Sequence, residues 1–234
     1  MSLLFTEFKH FPNLKYGFSD RRDGSMNRRL EKESRDLYFR RMLIDPNRVV
    51  TADLLHSGKV EMVGGAVAGT YVSNVDGLIT NADNLFLSVT GADCFILYFY
   101  DPRKNVIGIT HVGWRGLLGG VVKNTVQGLI ENFAISPRGL LVGISPGIRK
   151  CHFEISFNDK VKYKEYPGFI FEKDDKVFVD LAGIIKSQLL NDEVLEKNIE
   201  DSGVCTYCNE QEFFSYRRDK PKEVKPMIGY IGLV

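Results

Sequence analysis

The chain has 234 residues, 44% hydrophobic and 12% aromatic, with 31 basic and 30 acidic side chains for a net charge of +1. That balance excludes a disordered chain and leaves no basic footprint for nucleic acid or an anionic membrane. No apolar run approaches about 20 residues, and the segment MSLLFTEFKHF lacks an apolar signal core, so neither a membrane span nor export is expected. Four cysteines without export read as reduced thiols in a cytoplasm. No Pro/Ser/Gly-rich linker, repeat or low-complexity stretch divides the chain, and residues 1–234 are expected to form a single domain.

In chain order, Tyr16 to Asn27 reads as a strand entering a polar loop. Leu30, Leu37, Tyr38, Met42 and Leu43 follow a helical spacing that Asp45-Pro46 stops. Val49 to Leu55 is a short apolar segment ending at His56-Ser57-Gly58. Asp76-Gly77 is a turn ahead of Leu78-Ile79, and Leu85 to Val89 is a strand. The stretch Gly91 to Gly120 then reads strand, turn, strand, glycine-rich corner and helix, with Phe95 to Tyr100 and Val106 to His111 flanking the turn residues 101–105. From Leu117 through Phe133 the apolar spacing gives an amphipathic helix stopped before Pro137. Leu140 to Ile144 is a buried strand type, Phe153 to Phe157 alternates like a half-buried strand, and Val177 to Val179 is a strand. Asp180 is an N-cap for a helix through Leu190. Val204 to Phe214 and Met227 to Leu233 complete the strands. Strand-turn-strand pairs outnumber strand-helix-strand units, which predicts α+β with mixed or antiparallel sheets, not a Rossmann-like fold.

The chemistry rests on few residues, because there are only four histidines. If the hairpin loop is centred between Pro102 and Arg103, Cys94 lies opposite His111 with β-carbons roughly 5 Å apart. A bulge at Asn105 shifts that pairing by one. A thiolate and an imidazole at a hairpin mouth are two-thirds of an open zinc site. Taken singly, His56 and His111 read as hydrogen-bonded semi-buried histidines and Cys94 as a small buried hydrophobe. Spacings of 38 and 17 residues between the three match no compact structural zinc motif, so pattern alone leaves the constellation undecided. His10 reads as a surface residue, and His152 follows Cys151 in an apolar-flanked loop. Cys205-x-x-Cys208 is a single pair without a thioredoxin-like helix start; a redox or metal role, which Cys151 could join, stands beside the favoured reading of ordinary packed cysteines.

Ala92-Asp93-Cys94, His111-Val112-Gly113-Trp114-Arg115-Gly116, Pro146 to Ile155, Cys205-Thr206 and Phe213-Phe214-Ser215-Tyr216-Arg217-Arg218-Asp219 occur in that order. Together they resemble the laccase-domain (YfiH, or multicopper polyphenol oxidoreductase) family. Asp76 to Thr80 is similar to that family's DG(L/V)-type segment, and Phe18 to Gly24 to its N-terminal Arg/Gly loop. The resemblance implies a single-domain four-layer α/β/β/α sandwich with mixed sheets and a metal held by His56, Cys94 and His111. It also implies zinc-dependent purine nucleoside chemistry: phosphorolysis of adenosine, inosine and methylthioadenosine, and adenosine deamination. The chain departs from the family pattern at Leu54, Leu55, Ile96, Ser145, Arg149 and Phe153, and at Lys225-Pro226-Met227.

A two-His, one-Cys set leaves a fourth tetrahedral position, where zinc lowers the pKa of water to about 7. Deamination needs a proton donor, for which Asp93 and Glu154 are the candidates. Phosphorolysis needs an anion seat, and Arg115 at the start of the Leu117 helix combines a guanidinium with helix N–H groups. Arg217 and Arg218 add charge, Trp114 offers a face for a purine, and Gly113 and Gly116 let the backbone approach a ligand. The expected partners are a purine nucleoside and phosphate, acting on a monomer or homodimer. Two alternatives stand beside this expectation. One is a copper-dependent polyphenol oxidase, with Cu²⁺ at the same three ligands, although four histidines in all cannot furnish a multicopper set. The other is a metal-stabilised protein without catalysis.

Overall fold

The computed structural model describes residues 5–27 and 32–234. At its centre β7 (Phe95–Asp101) and β8 (Val106–Val112) pair antiparallel within a six-stranded sheet. Its order is β13 (Ile199–Asp201), β9 (Leu141–Ile144), β7, β8, β5 (Gly77–Thr80) and β3 (Val60–Met62). A five-stranded sheet runs β1 (Leu14–Phe18), β14 (Met227–Leu233), β6 (Phe86–Gly91), β2 (Val49–Asp53) and β4 (Tyr71–Ser73). A small sheet joins β10 (Glu154–Ile155), β12 (Lys176–Val179) and β11 (Ile170–Lys173). Both large sheets are mixed, since β9–β13, β3–β5, β2–β4 and β2–β6 pair in parallel.

Strand β7 explains the layering. A strand buried on both faces needs no polar alternation, and every residue of β7 is buried. Phe95, Leu97 and Phe99 pack with Val122, Val126 and Leu129 of α3 (Val121–Phe133) and with Ile184 and Leu189 of α4 (Leu181–Asn191). Ile96, Tyr98 and Tyr100 point the other way, against Leu87, Val89 and Ile231 of the five-stranded sheet. That sheet's far face carries Phe86, Ile228 and Tyr230, covered by Tyr38 and Phe39 of α1 (Lys32–Arg41). The result is α/β/β/α, the sandwich expected. Each fully buried large apolar side chain contributes about 1.5–3 kcal/mol, so β7 alone anchors both inner layers. No helix among the described residues is long and apolar enough to cross a membrane.

Several local expectations change. In the hairpin Ile96, not Cys94, faces His111. The loop is Pro102 to Asn105, because the Asp101 carboxylate accepts the N–H groups of Arg103 (2.8 Å) and Lys104 (3.0 Å) and Asn105 takes φ 52°. A register change of two keeps every side chain on its face and sets Cys94 just ahead of the strand, level with Gly113. The helix expected from Leu117 is two: α2 (Trp114–Leu118) and α3, separated where Gly120 takes φ 81°. Of the apolar set expected around α1, Leu37, Met42 and Leu43 are exposed, and Leu30 lies outside the described residues. The buried positions are Arg35, Tyr38 and Phe39, because the Arg35 guanidinium meets the buried Thr51 hydroxyl at 2.8 Å. Phe153 to Phe157 supplies only the two residues of β10, and Phe157 is exposed. Val204 to Phe214 forms no strand beyond a single bridge from Cys205 to Gly147. Arg218 holds that segment as a loop by donating to the carbonyls of Thr206, Tyr207 and Phe213.

One ion pair fastens the edge of the six-stranded sheet. Arg149 forks onto Asp201 at 2.6 and 2.9 Å. Burial works to raise the Asp201 carboxyl, but the Arg149 guanidinium outweighs it and holds the group below its ordinary value. A depressed folded-state pKa stabilises above the unfolded value of about 3.9 and is lost as pH falls through the folded value. Asp201→Asn should therefore cost about 2–3 kcal/mol at pH 7, the low side for a broken buried pair, since both side chains keep 12% exposure. Urea titrations of both proteins should show this gap narrowing below about pH 4.

Candidate active site

Strands β2, β5, β7 and β8 bring their ends to one mouth of the sandwich. Asp76, wholly buried just before β5, organises it. Its carboxylate accepts the backbone N–H groups of Leu55 (3.2 Å), His56 (2.6 Å), Ser57 (2.6 Å) and Gly58 (2.9 Å). Its own carbonyl accepts the N–H of His111 at 2.7 Å. Burial opposes ionisation, yet the N–H groups of Gly58, Ser57 and His56 keep the carboxyl below its usual range. The same cage holds His56 at φ 60°, a left-handed conformation that costs a non-glycine residue of order 1 kcal/mol. Asp76 is thus a girder where the sequence indicated only a turn.

Three side chains then meet. The imidazoles of His56 and His111 lie 4.8 Å apart between centroids, nearly perpendicular at 78°. A methyl placed on Gly113 would stand 2.9 Å from Cys94 Sγ, 3.4 Å from His111 Cε1 and 3.7 Å from His56 Cδ2. His111 is buried, Cys94 half-buried and His56 exposed at the lip. Burial, aided by Asp93 and opposed by Arg115, pushes the Cys94 thiol up to about 12. Burial also pulls His111 down to about 3, with His56 adding to the fall and Asp76 resisting it. The Nδ1 of His111 has no hydrogen-bond partner although it is buried, the Asp76 carboxylate standing 3.9 Å away. Neutral imidazole is the form that ligates a metal, and a cation replaces the thiol proton. One sulfur and two imidazoles fit zinc, and also accept copper.

A cleft of about 1180 Å³ opens over these residues, with Trp114, Arg115, Phe153, Glu154, Lys162 and Arg217 among its lining. Such a volume exceeds the ordinary size of a single small-molecule site. Arg115 is exposed and lies over the Trp114 ring at 4.3 Å, with Lys162 over the same ring at 4.9 Å. Because α2 has only five residues, the positive charge at this wall comes from these side chains and not from a helix dipole. The Arg217 guanidinium donates to the Glu154 carbonyl at 2.8 Å and packs over Phe153. Glu154 is half-buried, its carboxylate 3.1 Å from Lys176. Asp93, a proton-donor candidate, is held in a hydrogen-bond network. At φ 76° it accepts from Thr206 Oγ1 (2.6 Å), Ser215 Oγ (3.0 Å) and the Arg217 N–H (2.7 Å). Arg218 spends its guanidinium on backbone carbonyls and on Asp219, away from the cleft lining. Gly116 also lies off the cleft, against Val121.

The departures from the family pattern have partners. The Ile96 N–H donates to Ser145 Oγ at 2.8 Å, so two of them meet. Arg149 finds Asp201, while Leu54 and Phe153 line the cleft. Sequence reasoning missed Asp76 as an organiser, Lys162 altogether, and His152 as company for Cys151 and the Cys-x-x-Cys pair. Cys151 and Cys208 are exposed, only Cys205 is buried, and His152 joins them. They are not the packed cysteines expected. An acid ahead of a buried strand was a visible signal for Asp76; nothing in the sequence marked Lys162.

A four-layer α/β/β/α sandwich whose two sheets deliver a cysteine and two histidines to one cleft defines a laccase-domain type of protein. The chain belongs to the multi-copper polyphenol oxidoreductase laccase family, whose profile matches residues 16–233. It is 31% identical over 200 residues to "Purine nucleoside phosphorylase YlmD" of Geobacillus stearothermophilus, covering 79% of this chain and 72% of that one. It is 29% identical over 184 residues to mouse "Purine nucleoside phosphorylase LACC1", covering 76% of this chain but only 42% of the mouse protein's length. The crystal structure of Bacillus licheniformis hypothetical protein YfiH superposes with a TM-score of 0.91 at 25% identity, over 100% of this chain and 96% of that one.

Proposed function

We propose that residues 1–234 act as one catalytic domain, a zinc-dependent purine nucleoside phosphorylase for adenosine, inosine and methylthioadenosine that also deaminates adenosine. The observation that carries this reading is the convergence of His56, Cys94 and His111 beneath a cleft edged by Arg115, Lys162 and Arg217. Relatives named purine nucleoside phosphorylase support it. His56, Cys94 and His111 would hold the zinc, which would supply a Lewis acid there; copper at the same ligands is the lesser alternative.

The chain's own residues divide the remaining work. In phosphorolysis a phosphate oxygen bonds ribose C1′ as the bond to the purine nitrogen breaks, and the purine leaves with the electron pair and takes up a proton. Arg217, with Arg115 and Lys162, holds the phosphate by charge-assisted hydrogen bonds. Glu154, a carboxylate on the cleft wall paired with Lys176, is the group assigned to hold or deliver a proton. Asp93, fully engaged with Thr206, Ser215 and Arg217, positions the wall instead. Reduced thiols in a cytoplasmic setting suit this chemistry.

Chromatography of an adenosine, inosine and methylthioadenosine panel, with and without phosphate, tests the reading. Free base and the matching sugar phosphate (ribose 1-phosphate, or 5-methylthioribose 1-phosphate from methylthioadenosine) should appear only with phosphate. Equal base release without phosphate, or none from zinc-loaded protein, overturns it. Arg217→Gln should raise the KM for phosphate about tenfold, a loss of about 1.4 kcal/mol, while affecting adenosine deamination less.

A further inference from the structure

The family's motifs leave one group of side chains without a task. Cys151 and His152 lie in the loop after β9, and Cys205 and Cys208 some fifty residues later, yet their four donor atoms lie within 4.8 Å of one another. Cys151 Sγ is 3.6 Å from Cys205 Sγ and 3.7 Å from Cys208 Sγ. His152 Nδ1 is 3.3 Å from the sulfurs of both Cys151 and Cys208. A zinc tetrahedron with Zn–S near 2.3 Å and Zn–N near 2.0 Å has S–S edges of about 3.8 Å and S–N edges of about 3.5 Å. The four spacings from Cys151 and His152 lie within about 0.2 Å of those edges. A disulfide needs sulfurs about 2.05 Å apart.

The surroundings hold the donors in place. Tyr207, between the two cysteines of the Cys-x-x-Cys pair, stacks on the His152 ring with centroids 3.9 Å apart and planes 13° apart. That contact fixes the imidazole's orientation, as neighbours of metal-bound histidines commonly do. The Gly147 N–H bonds the Val204 carbonyl and the Thr206 N–H bonds the Gly147 carbonyl, so the two loops are already laid side by side. None of the four residues lines the cleft or belongs to the His56, Cys94 and His111 group. With Cys151 and Cys208 exposed, an ion has a way in.

We propose that Cys151, His152, Cys205 and Cys208 form a second, structural zinc site that pins the loop leading into Phe153 and Glu154 to the segment leading into Ser215 and Arg217. Four protein ligands close the coordination shell, which makes this centre structural, whereas three leave a position open. Three thiolates with one imidazole favour zinc among common cellular divalent ions. Its role is to set the cleft wall: Phe153 follows His152 directly, and Asp93 binds Thr206, Ser215 and Arg217 together.

The test is metal analysis of full-length, untagged protein purified under reducing conditions. Wild type should hold about two zinc ions per chain, Cys94→Ala about one, and Cys94→Ala with Cys205→Ser and Cys208→Ser about none. The count in the Cys94→Ala background isolates the second centre, so the result stands whether or not the first binds metal or the nucleoside chemistry is right. Cobalt substitution of zinc-stripped Cys94→Ala protein needs no change in the cluster. It should give the intense near-ultraviolet thiolate-to-cobalt bands and the visible bands of a tetrahedral three-sulfur site. Zinc-free Cys94→Ala protein that also lacks those cobalt bands overturns the proposal. So does a thiol titration of freshly prepared, denatured wild type that finds two of the four cysteines joined as a disulfide.

Discussion

Cys94→Ala should abolish metal binding at the proposed catalytic site and lower kcat/KM for inosine phosphorolysis by at least about 10³-fold, or about 4 kcal/mol of transition-state stabilisation. The reason lies in the donor set. His56 and His111 come from different sheets, and the sulfur is the only anionic ligand between them, so two neutral imidazoles remain once it is gone. The fold should hardly notice. Cys94 sits ahead of β7 and outside the main apolar clusters. The thiol is neutral without metal, its pKa pushed up to about 12 by burial, so alanine deletes an uncharged group at a cost of about 1 kcal/mol. Metal content, nucleoside turnover and urea unfolding measured on one preparation check all three points. Full turnover in metal-free protein contradicts the proposed function outright.

Gly113→Ala should give a comparable functional loss by a different physical route. Gly113 has φ −88° and ψ 168°, a conformation open to any residue, so backbone strain is no obstacle. The obstacle is space: the new methyl would sit 2.9 Å from the Cys94 sulfur, inside van der Waals contact, with His111 and His56 at 3.4 and 3.7 Å. The sulfur has to move, and metal affinity should fall by about 100-fold or more, as strained ligand geometry commonly costs, with the melting temperature shifted by only a few degrees. Gly116→Ala is the internal control from the same HVGWRG segment. Its methyl would meet Val121 at 3.6 Å, an ordinary contact, and alanine is the better helix former. Chelator competition on the two variants should separate them clearly; equal affinities would show that Gly113 does not border the metal.

The contrast between those glycines illustrates what was legible in the sequence. HVGWRG and ADC marked the right neighbourhood, and His56, Cys94 and His111 do converge in the structure. The proposed route to that convergence was wrong by two residues of hairpin register, because the Asp101 carboxylate lengthens the turn. Cys94 reaches His111 from the level of Gly113, not from the facing rung. Roles were less legible than positions. Asp93 and Arg218 looked chemical because they carry charge inside motifs, but charge type says nothing about whether an oxygen or guanidinium is already taken. Asp93 is bonded to Thr206 and Ser215, more than a hundred residues away, and Arg218 to three carbonyls.

Local periodicity and composition determined, by themselves, that β7 and β8 are buried strands, that the segment ending at Phe133 is an amphipathic helix, and that the fold is α+β. These follow from which residues can leave water along a single element. Only the tertiary structure decided that Asp76 is the girder of the mouth, that Lys162 joins the cleft, and that Cys151, His152, Cys205 and Cys208 gather in one place. Each of those depends on segments far apart in the chain being packed together, and a distance across the core has no period for a sequence to carry.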